Sequence, residues 1–315
     1  MKAIQISEFG GPEVMRYVEV DDPVLRDGDV LLEVSAIGIN YADTHQTEDS
    51  YLSKQKLPLI PGIEVVGTYN GKRYLAFVSA GGYAQKAAVK AESLIPIPDK
   101  VNDGEALAMA VQGTTAYHII KTVGHLKHGE SVVVHAGAGG VGTLAIQLAK
   151  RWGAYVIAVT SNQVKKDLCK ELGADVVIDS QDSELTEAIM KANKEKPVDL
   201  ILEMVGGKTF DQSLQALAPF GRMVTYGMAS RIAPSPISSG VLMGTSRTVT
   251  GFWLAHCFGK KELINDVISE LFSLIVEGSL RVIVGKTYPL SHAAQAHTDM
   301  RSRNTLGKIV LDPRV

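Results

Sequence analysis

One segment constrains this chain more than any other. Gly129 to Lys150 reads G-E-S-V-V-V-H-A-G-A-G-G-V-G-T-L-A-I-Q-L-A-K. Val132, Val133 and Val134 make a short β-branched run of the kind that forms a buried strand. Leu144, Ile146, Leu148 and Ala149 then recur at near-helical spacing. Between the two, Gly137, Gly139 and Gly142 fall on a G-x-G-x-x-G spacing. In a strand–turn–helix unit the first glycine is expected to make the tight turn. The second clears a side chain from the path of a pyrophosphate, and the third lets helix and strand pack closely. Unpaired amides at the helix start, together with the helix dipole, then hold the anion. The expected cradle is Gly137, Ala138, Gly139, Gly140 and Val141. Glycine-rich turns also occur for structural reasons alone; the flanking strand and helix patterns favour a dinucleotide here.

Beyond about residue 130, strand-like and helical runs alternate. The strand-like runs are Ser131 to His135, Tyr155 to Val159, Asp175 to Ile178, Asp199 to Leu202, Arg222 to Thr225 and Thr248 to Gly251. Helical runs begin near Gly140, Asn162, Ser183 and Gly207, with Asn162 and Ser183 as N-caps and Gly173 as a terminator. Right-handed crossovers between such strands predict an α/β, doubly wound, six-stranded parallel sheet of the Rossmann type. The residues before about 113 read instead as short strands broken by turns, with Asn70-Gly71 a hairpin signal. After Gly251 come one helical stretch, Lys261 to Val276, and strand-like pieces at Arg281 to Val284 and Lys308 to Leu311. A tail that short cannot bury a core of its own and is expected to join the N-terminal domain. The predicted division is 1–113 with 254–315, mostly β, and 114–253, the nucleotide-binding domain.

Composition narrows the function classes. The chain has 315 residues, a formal charge of −2 and 45% hydrophobic content, which leaves no basic footprint for nucleic acid. No apolar run approaches the length of a membrane span. Cys169 and Cys257 form no C-x-x-C pair, which fits a cytoplasmic protein and argues against a four-thiolate zinc lobe.

The order of domains resembles the medium-chain dehydrogenase/reductase superfamily, and the motifs resemble its quinone oxidoreductase branch, the relatives of ζ-crystallin. They are the Gly129–Lys150 segment, E-F-G-G-P-E-V-M at Glu8 to Met15, G-I-N-Y-A-D at Gly38 to Asp43, and P-G-I-E-V-V-G at Pro61 to Gly67. To these are added V-Q-G-T-T-A at Val111 to Ala116, L-G-A-D at Leu172 to Asp175, E-M-V-G-G at Glu203 to Gly207, and G-K-I-V-L at Gly307 to Leu311. The resemblance implies a GroES-like, mostly β catalytic domain beside the Rossmann domain. Three departures are visible: a shorter stretch between Gly67 and Gly81, Ser180 where several relatives have tyrosine, and Glu203 in place of aspartate.

Where zinc-dependent members of the superfamily carry cysteine and histidine ligands, this chain has Asn40 and Ile63. Neither gives the usual thiolate or imidazole ligation. His125 and His128 stand close in sequence but lack a third ligand nearby. Without Lewis-acid polarisation worth several kcal/mol, simple ketone–alcohol exchange is disfavoured. The expected reaction is zinc-independent hydride transfer to an acceptor already electrophilic, such as a quinone or an α,β-unsaturated carbonyl.

Cofactor type is read past the second Rossmann strand. NAD enzymes place an acid there, about 20 residues beyond the glycine motif. Here Thr160, Ser161 and Asn162 are followed by Lys165, a set that welcomes a 2′-phosphate and favours NADPH. The alternative is a helix cap followed by a solvated lysine. The resemblance adds Arg303, matching a phosphate-contacting arginine of some relatives, and Asn40 and Thr115, matching residues beside the nicotinamide ribose. Gly227 follows the fifth strand, where the sheet edge faces the ring. Asp43 reads as a helix cap, with a catalytic acid as the alternative. Tyr51 matches a tyrosine over the active site and is a candidate hydrogen-bond donor to an oxyanion, or else an aromatic that covers the cleft. Tyr41 and His45 belong to the same expected pocket, although His45 also reads as an exposed residue. The rival functions are an enoyl-thioester reductase and, from another class, a nucleotide-binding structural or RNA-binding protein like some ζ-crystallins. A homodimer is expected through the last Rossmann strand.

Overall fold

The computed structural model describes residues 1–50 and 52–315. The chain divides into two compact units, one made of Met1–Gln112 with Ile268–Val315 and the other of Gly113–Val267.

The Gly113–Val267 unit is built on a parallel sheet whose spatial order is Val176–Asp179, Tyr155–Thr160, Ser131–His135, Val198–Glu203, Leu217–Thr225, Thr248–Gly251. This is the doubly wound order, reversing direction between Ser131–His135 and Val198–Glu203. All five residues of Ser131–His135 are buried, as the continuous apolar run requires of a strand covered on both faces. The connecting helices are Gly140–Arg151, Gln163–Glu171, Leu185–Ala192 and Gly207–Gln215. Asn162 caps the second of these, its side-chain oxygen accepting the Lys165 amide at 3.0 Å. Gly173 ends it at φ +104, a conformation that suits glycine.

Two details differ from the sequence reading. Ser183 does not cap its helix; Asp182 accepts the Glu184 amide at 2.9 Å, and the helix starts at Leu185. The Ser183 carbonyl instead accepts the Gln212 side chain at 2.7 Å. The fifth strand begins at Leu217 rather than Arg222. Its first half contains Pro219 and a left-handed Phe220, so it carries no strand-like pattern.

In the other unit the long strand Asp29–Ile39 organises the sheet, pairing with Glu64–Tyr69, Lys86–Lys90 and the C-terminal strand Lys308–Asp312. Glu64–Tyr69 and Lys72–Phe77 form the hairpin, with Asn70 and Gly71 both at positive φ. The tail thus returns to the N-terminal sheet. Its other strand is Val284–Pro289, later than the Arg281 to Val284 expected. The stretch from Lys261 breaks at Ile264 into a short 3-10 turn and the helix Asn265–Val276. A further helix, Ala293–Arg301, was not anticipated. Its buried face is Ala293, Ala296 and His297, too weakly apolar to announce itself.

Candidate active site

The glycine turn is the first part of the site. Ser131–His135 ends in Ala136, which takes the left-handed conformation at φ +50, so the sharp turn falls at Ala136 and not at Gly137. Gly137 serves packing: a Cβ there would lie 3.0 Å from Cys169 Sγ and 3.1 Å from Ala158 Cβ. Gly142 is more constrained, because a Cβ would meet the Ala136 carbonyl oxygen at 2.3 Å. Gly139 faces otherwise open space, the nearest atom to its Cβ position being that same oxygen at 3.1 Å. It is the N-cap of Gly140–Arg151 and its carbonyl accepts the Thr143 amide at 2.9 Å. The amides of Gly140 and Val141 lie in the first helical turn, where no intrahelical partner exists. Ala138 is buried within the turn.

The other expected nucleotide contacts in this unit follow neighbouring strands of the same parallel sheet. Ser161 is half-buried after Tyr155–Thr160, and Lys165 is half-buried in the first turn of the following helix. Asp179, paired opposite Thr160 on the adjacent strand, is engaged by Lys166 at 2.7 Å. Gly227 follows Leu217–Thr225 and lies against Met204, where a Cβ would come within 3.2 Å of the Met204 Cβ. Glu203, fully buried at the end of Val198–Glu203, accepts the amides of Val205 and Gly206 at 2.7 and 2.9 Å and so shapes that turn. Burial raises its carboxyl above the usual range. Ser161, Gly227 and the glycine turn therefore share the carboxyl edge of the sheet, where open α/β folds bind ligands. Thr115 is buried on Thr114–Ile120, a helix packed against Gly140–Arg151.

The N-terminal unit has its own cluster, built around Asn40, the N-cap of Tyr41–Thr47. Asp43 is its cap partner, accepting the Asn40 amide at 2.9 Å, and its carboxylate also accepts the Tyr83 hydroxyl at 2.9 Å. That hydroxyl lies 2.9 Å from His297 Nε2. Burial pushes the Asp43 carboxyl up to about 7 and the His297 imidazole down to about 3. On the other side of Asn40, Lys308 and Glu64 form an ion pair whose side chains are both fully buried. Lys308 Nζ also donates to the Ile39 carbonyl at 3.1 Å and to Asn40 Oδ1 at 3.2 Å. Gln112 Nε2 donates to the same Oδ1 at 3.4 Å, and the Val111 amide donates to Glu64 at 2.9 Å. Asn40 Nδ2 and Gln112 Oε1 are buried without partners among the described residues.

Tyr41 and His45 stand on one helix with ring centroids 5.8 Å apart. His45 is buried rather than exposed, with Nδ1 3.0 Å from Ser50 Oγ. Tyr51 lies outside the described residues. Arg303 is exposed and left-handed at φ +58, just after Ala293–Arg301. Sequence reasoning did not find Glu64, Tyr83, Gln112, His297 or Lys308. Glu64, Gln112 and Lys308 sat inside the quoted motifs; nothing local marked Tyr83 or His297.

The fold and these two clusters define a medium-chain dehydrogenase/reductase. Residues 140–273 match the family model for a zinc-binding dehydrogenase, and residues 26–71 that for an alcohol dehydrogenase GroES-like domain. The chain belongs to the quinone oxidoreductase branch of that superfamily. A quinone oxidoreductase of Lama guanicoe is 30% identical, with 99% of this chain and 97% of that one covered. The solved quinone oxidoreductase of Thermus thermophilus, also determined as its NADPH complex, is 35% identical with a TM-score of 0.89, covering 99% and 100% of the two chains. That of Escherichia coli, complexed with NADPH, is 29% identical with a TM-score of 0.92 at 99% and 100% coverage. No helix of the described residues is long and apolar enough to cross a membrane.

Proposed function

We propose that this chain is an NADPH-dependent oxidoreductase that transfers hydride to quinones or other activated α,β-unsaturated carbonyls without zinc. The observation that carries this reading is Asn40. Its carbonyl oxygen is already taken by Lys308 and Gln112, and Ile63, at the position of a second ligand in zinc enzymes, offers no donor. A buried amide donor remains for a ligand.

NADPH, when bound, supplies the hydride. The residues suited to hold it are those of the Gly137–Val141 turn for the pyrophosphate, Ser161 and Lys165 for the 2′-phosphate, and Asn40, Thr115 and Gly227 toward the nicotinamide end, with Arg303 as a further phosphate contact. Gly139 leaves a cradle that a Cβ would narrow, and no carboxylate follows Thr160 to repel a phosphate. Tyr41, His45 and Tyr51 are assigned to the acceptor pocket. The acceptor is a small molecule, and the charge of −2 supports no nucleic-acid role. Two free, buried cysteines accord with the cytoplasm.

A homodimer is proposed through Thr248–Gly251, the edge strand of its sheet, with exposed Val241 and Met243 on the preceding helix Ser239–Thr245. Light scattering should give twice the chain mass; a concentration-independent monomer would refute it.

The functional test is steady-state NADPH oxidation across quinones, enones and enoyl thioesters, before and after exhaustive chelation. Turnover of quinones or enones, undiminished by chelation, is expected. Preference for enoyl thioesters would favour the thioester reductase, and NADPH binding without turnover the structural role. Activity lost together with one zinc per chain would overturn metal independence.

A further inference from the structure

We infer that Lys308 is a positioning residue that fixes which end of the Asn40 carboxamide is presented to the cofactor. The inference rests on the reading above, in which Asn40 lies at the nicotinamide end of NADPH.

An asparagine amide can turn over about its terminal torsion, exchanging an acceptor for a donor at each face. Here the exchange is blocked. Asn40 Oδ1 accepts from two donors, Lys308 Nζ at 3.2 Å and Gln112 Nε2 at 3.4 Å. A flipped amide would place its N–H groups against an ammonium, which has no acceptor. Lys308 is itself held in place by the buried carboxylate of Glu64 and by the Ile39 carbonyl. Glu64 is fixed in turn by the Val111 amide at 2.9 Å. The chain Val111–Glu64–Lys308–Asn40 therefore leaves Nδ2 as the presented atom, and Nδ2 is buried and unpartnered among the described residues. The nearby Gln112 Oε1 is likewise unpartnered. The pair offers one donor and one acceptor, which suits a ribose hydroxyl that can both accept and donate.

A buried ion pair is weak evidence of stabilisation by itself, since removing two charges from water is costly. On this inference the role of the pair is the orientation it gives Asn40.

The test is a double-mutant cycle read by NADPH fluorescence titration, with thermal melting of the free protein as the control for folding. Lys308→Met with Glu64→Gln removes both charges and leaves Asn40 free to turn. NADPH should bind at least about twofold more weakly, the loss expected when the two orientations of the amide become equally populated. Added to Asn40→Ala, the same pair of changes should cost no further affinity, since the group they orient is gone. Additive losses, or wild-type affinity in the Lys308→Met/Glu64→Gln variant, would overturn the assignment. If that variant does not fold, Lys308→Gln with Glu64→Gln decides. It keeps a hydrogen-bonding pair in place of the ion pair, but the amide at 308 can accept as well as donate and so no longer dictates the orientation of Asn40; a loss of about twofold or more supports the assignment. Unchanged affinity overturns it. A wild-type chain that fails to bind NADPH at all would instead sink the functional reading on which this inference rests.

Discussion

Gly142 and the carbonyl oxygen of Ala136 stand so close that a Cβ on the glycine would lie 2.3 Å from that oxygen. The helix Gly140–Arg151 is thereby seated directly on the turn that follows Ser131–His135. Gly139 meets the same oxygen at 3.1 Å but is otherwise open. One motif thus contains a packing glycine and a clearance glycine. Gly142→Ala should destabilise the protein by about 1–3 kcal/mol, as overpacking against immovable backbone does. Gly139→Ala, at 3.1 Å from that oxygen, should destabilise less than Gly142→Ala yet bind NADPH at least about tenfold more weakly. Denaturant unfolding together with cofactor titration checks both.

If Lys165 holds the 2′-phosphate as proposed, it should carry the cofactor preference. Its backbone amide is committed to Asn162, and its side chain stands in the first turn beyond Thr160. NADPH should bind more tightly than NADH, and Lys165→Ala should narrow the gap by about tenfold or more, the worth of one charge-assisted hydrogen bond. Equal dissociation constants for the two cofactors in the wild type would show that the lysine does not hold a 2′-phosphate.

Asp43 gives a pH prediction whose sign is set by burial. Its folded pKa of about 7 lies above the unfolded value, so its contribution to stability is fully present below the unfolded pKa and is lost as pH rises toward 7. His297, pushed down to about 3, and His135, pushed down to about 4, behave oppositely. Each favours folding above the unfolded histidine pKa and loses that contribution as pH falls. Between about pH 4 and 6.5 these histidines and His118, also lowered by burial, act in one direction and Asp43 and Glu203, both raised by burial, in the other, so Asp43 opposes the loss of stability with acid. The groups facing Asp43 are Tyr83, Glu64 and Lys308. Asp43→Asn should therefore steepen the loss of stability with acid in that window. Denaturant midpoints at pH 4.5, 5.5 and 6.5 would show it, and an unchanged slope would contradict the assignment.

Tyr51 tests the chemistry of proton delivery. Hydride addition to a quinone leaves a weakly basic aromatic oxyanion, which water can protonate. Addition to an enone leaves a more basic enolate, for which an organised donor matters more. If Tyr51 is that donor, Tyr51→Phe should slow enone reduction by about 10²–10⁴-fold and quinone reduction far less. The measurement is kcat for both acceptors in both proteins. Equal small effects would make Tyr51 a packing residue, and equal large effects a positioning one.

What the sequence by itself determined is local. The valine run, the glycine spacing, the Asn162 cap and the Asn70-Gly71 turn each act through neighbours within a few residues, so their backbone consequences are legible in order along the chain. The doubly wound parallel sheet followed as well, because alternating strands and helices with right-handed crossovers cover both faces; the strand order itself was decided by the tertiary structure. Motif resemblance pointed to Asn40, but not to what holds it. That was decided by pairing at a distance: the antiparallel register of Lys308–Asp312 on Asp29–Ile39, with Ile309 opposite Ile39, brings Lys308 beside Asn40, and Glu64 closes the pair. Tyr83 and His297 meet in the same way, 214 positions apart in sequence. Such contacts leave no periodic trace, because each is a single polar residue whose partner lies on another strand or helix. Even the turn expected at Gly137 moved to Ala136, since packing against Cys169 and Ala158, and not backbone freedom, is what Gly137 satisfies.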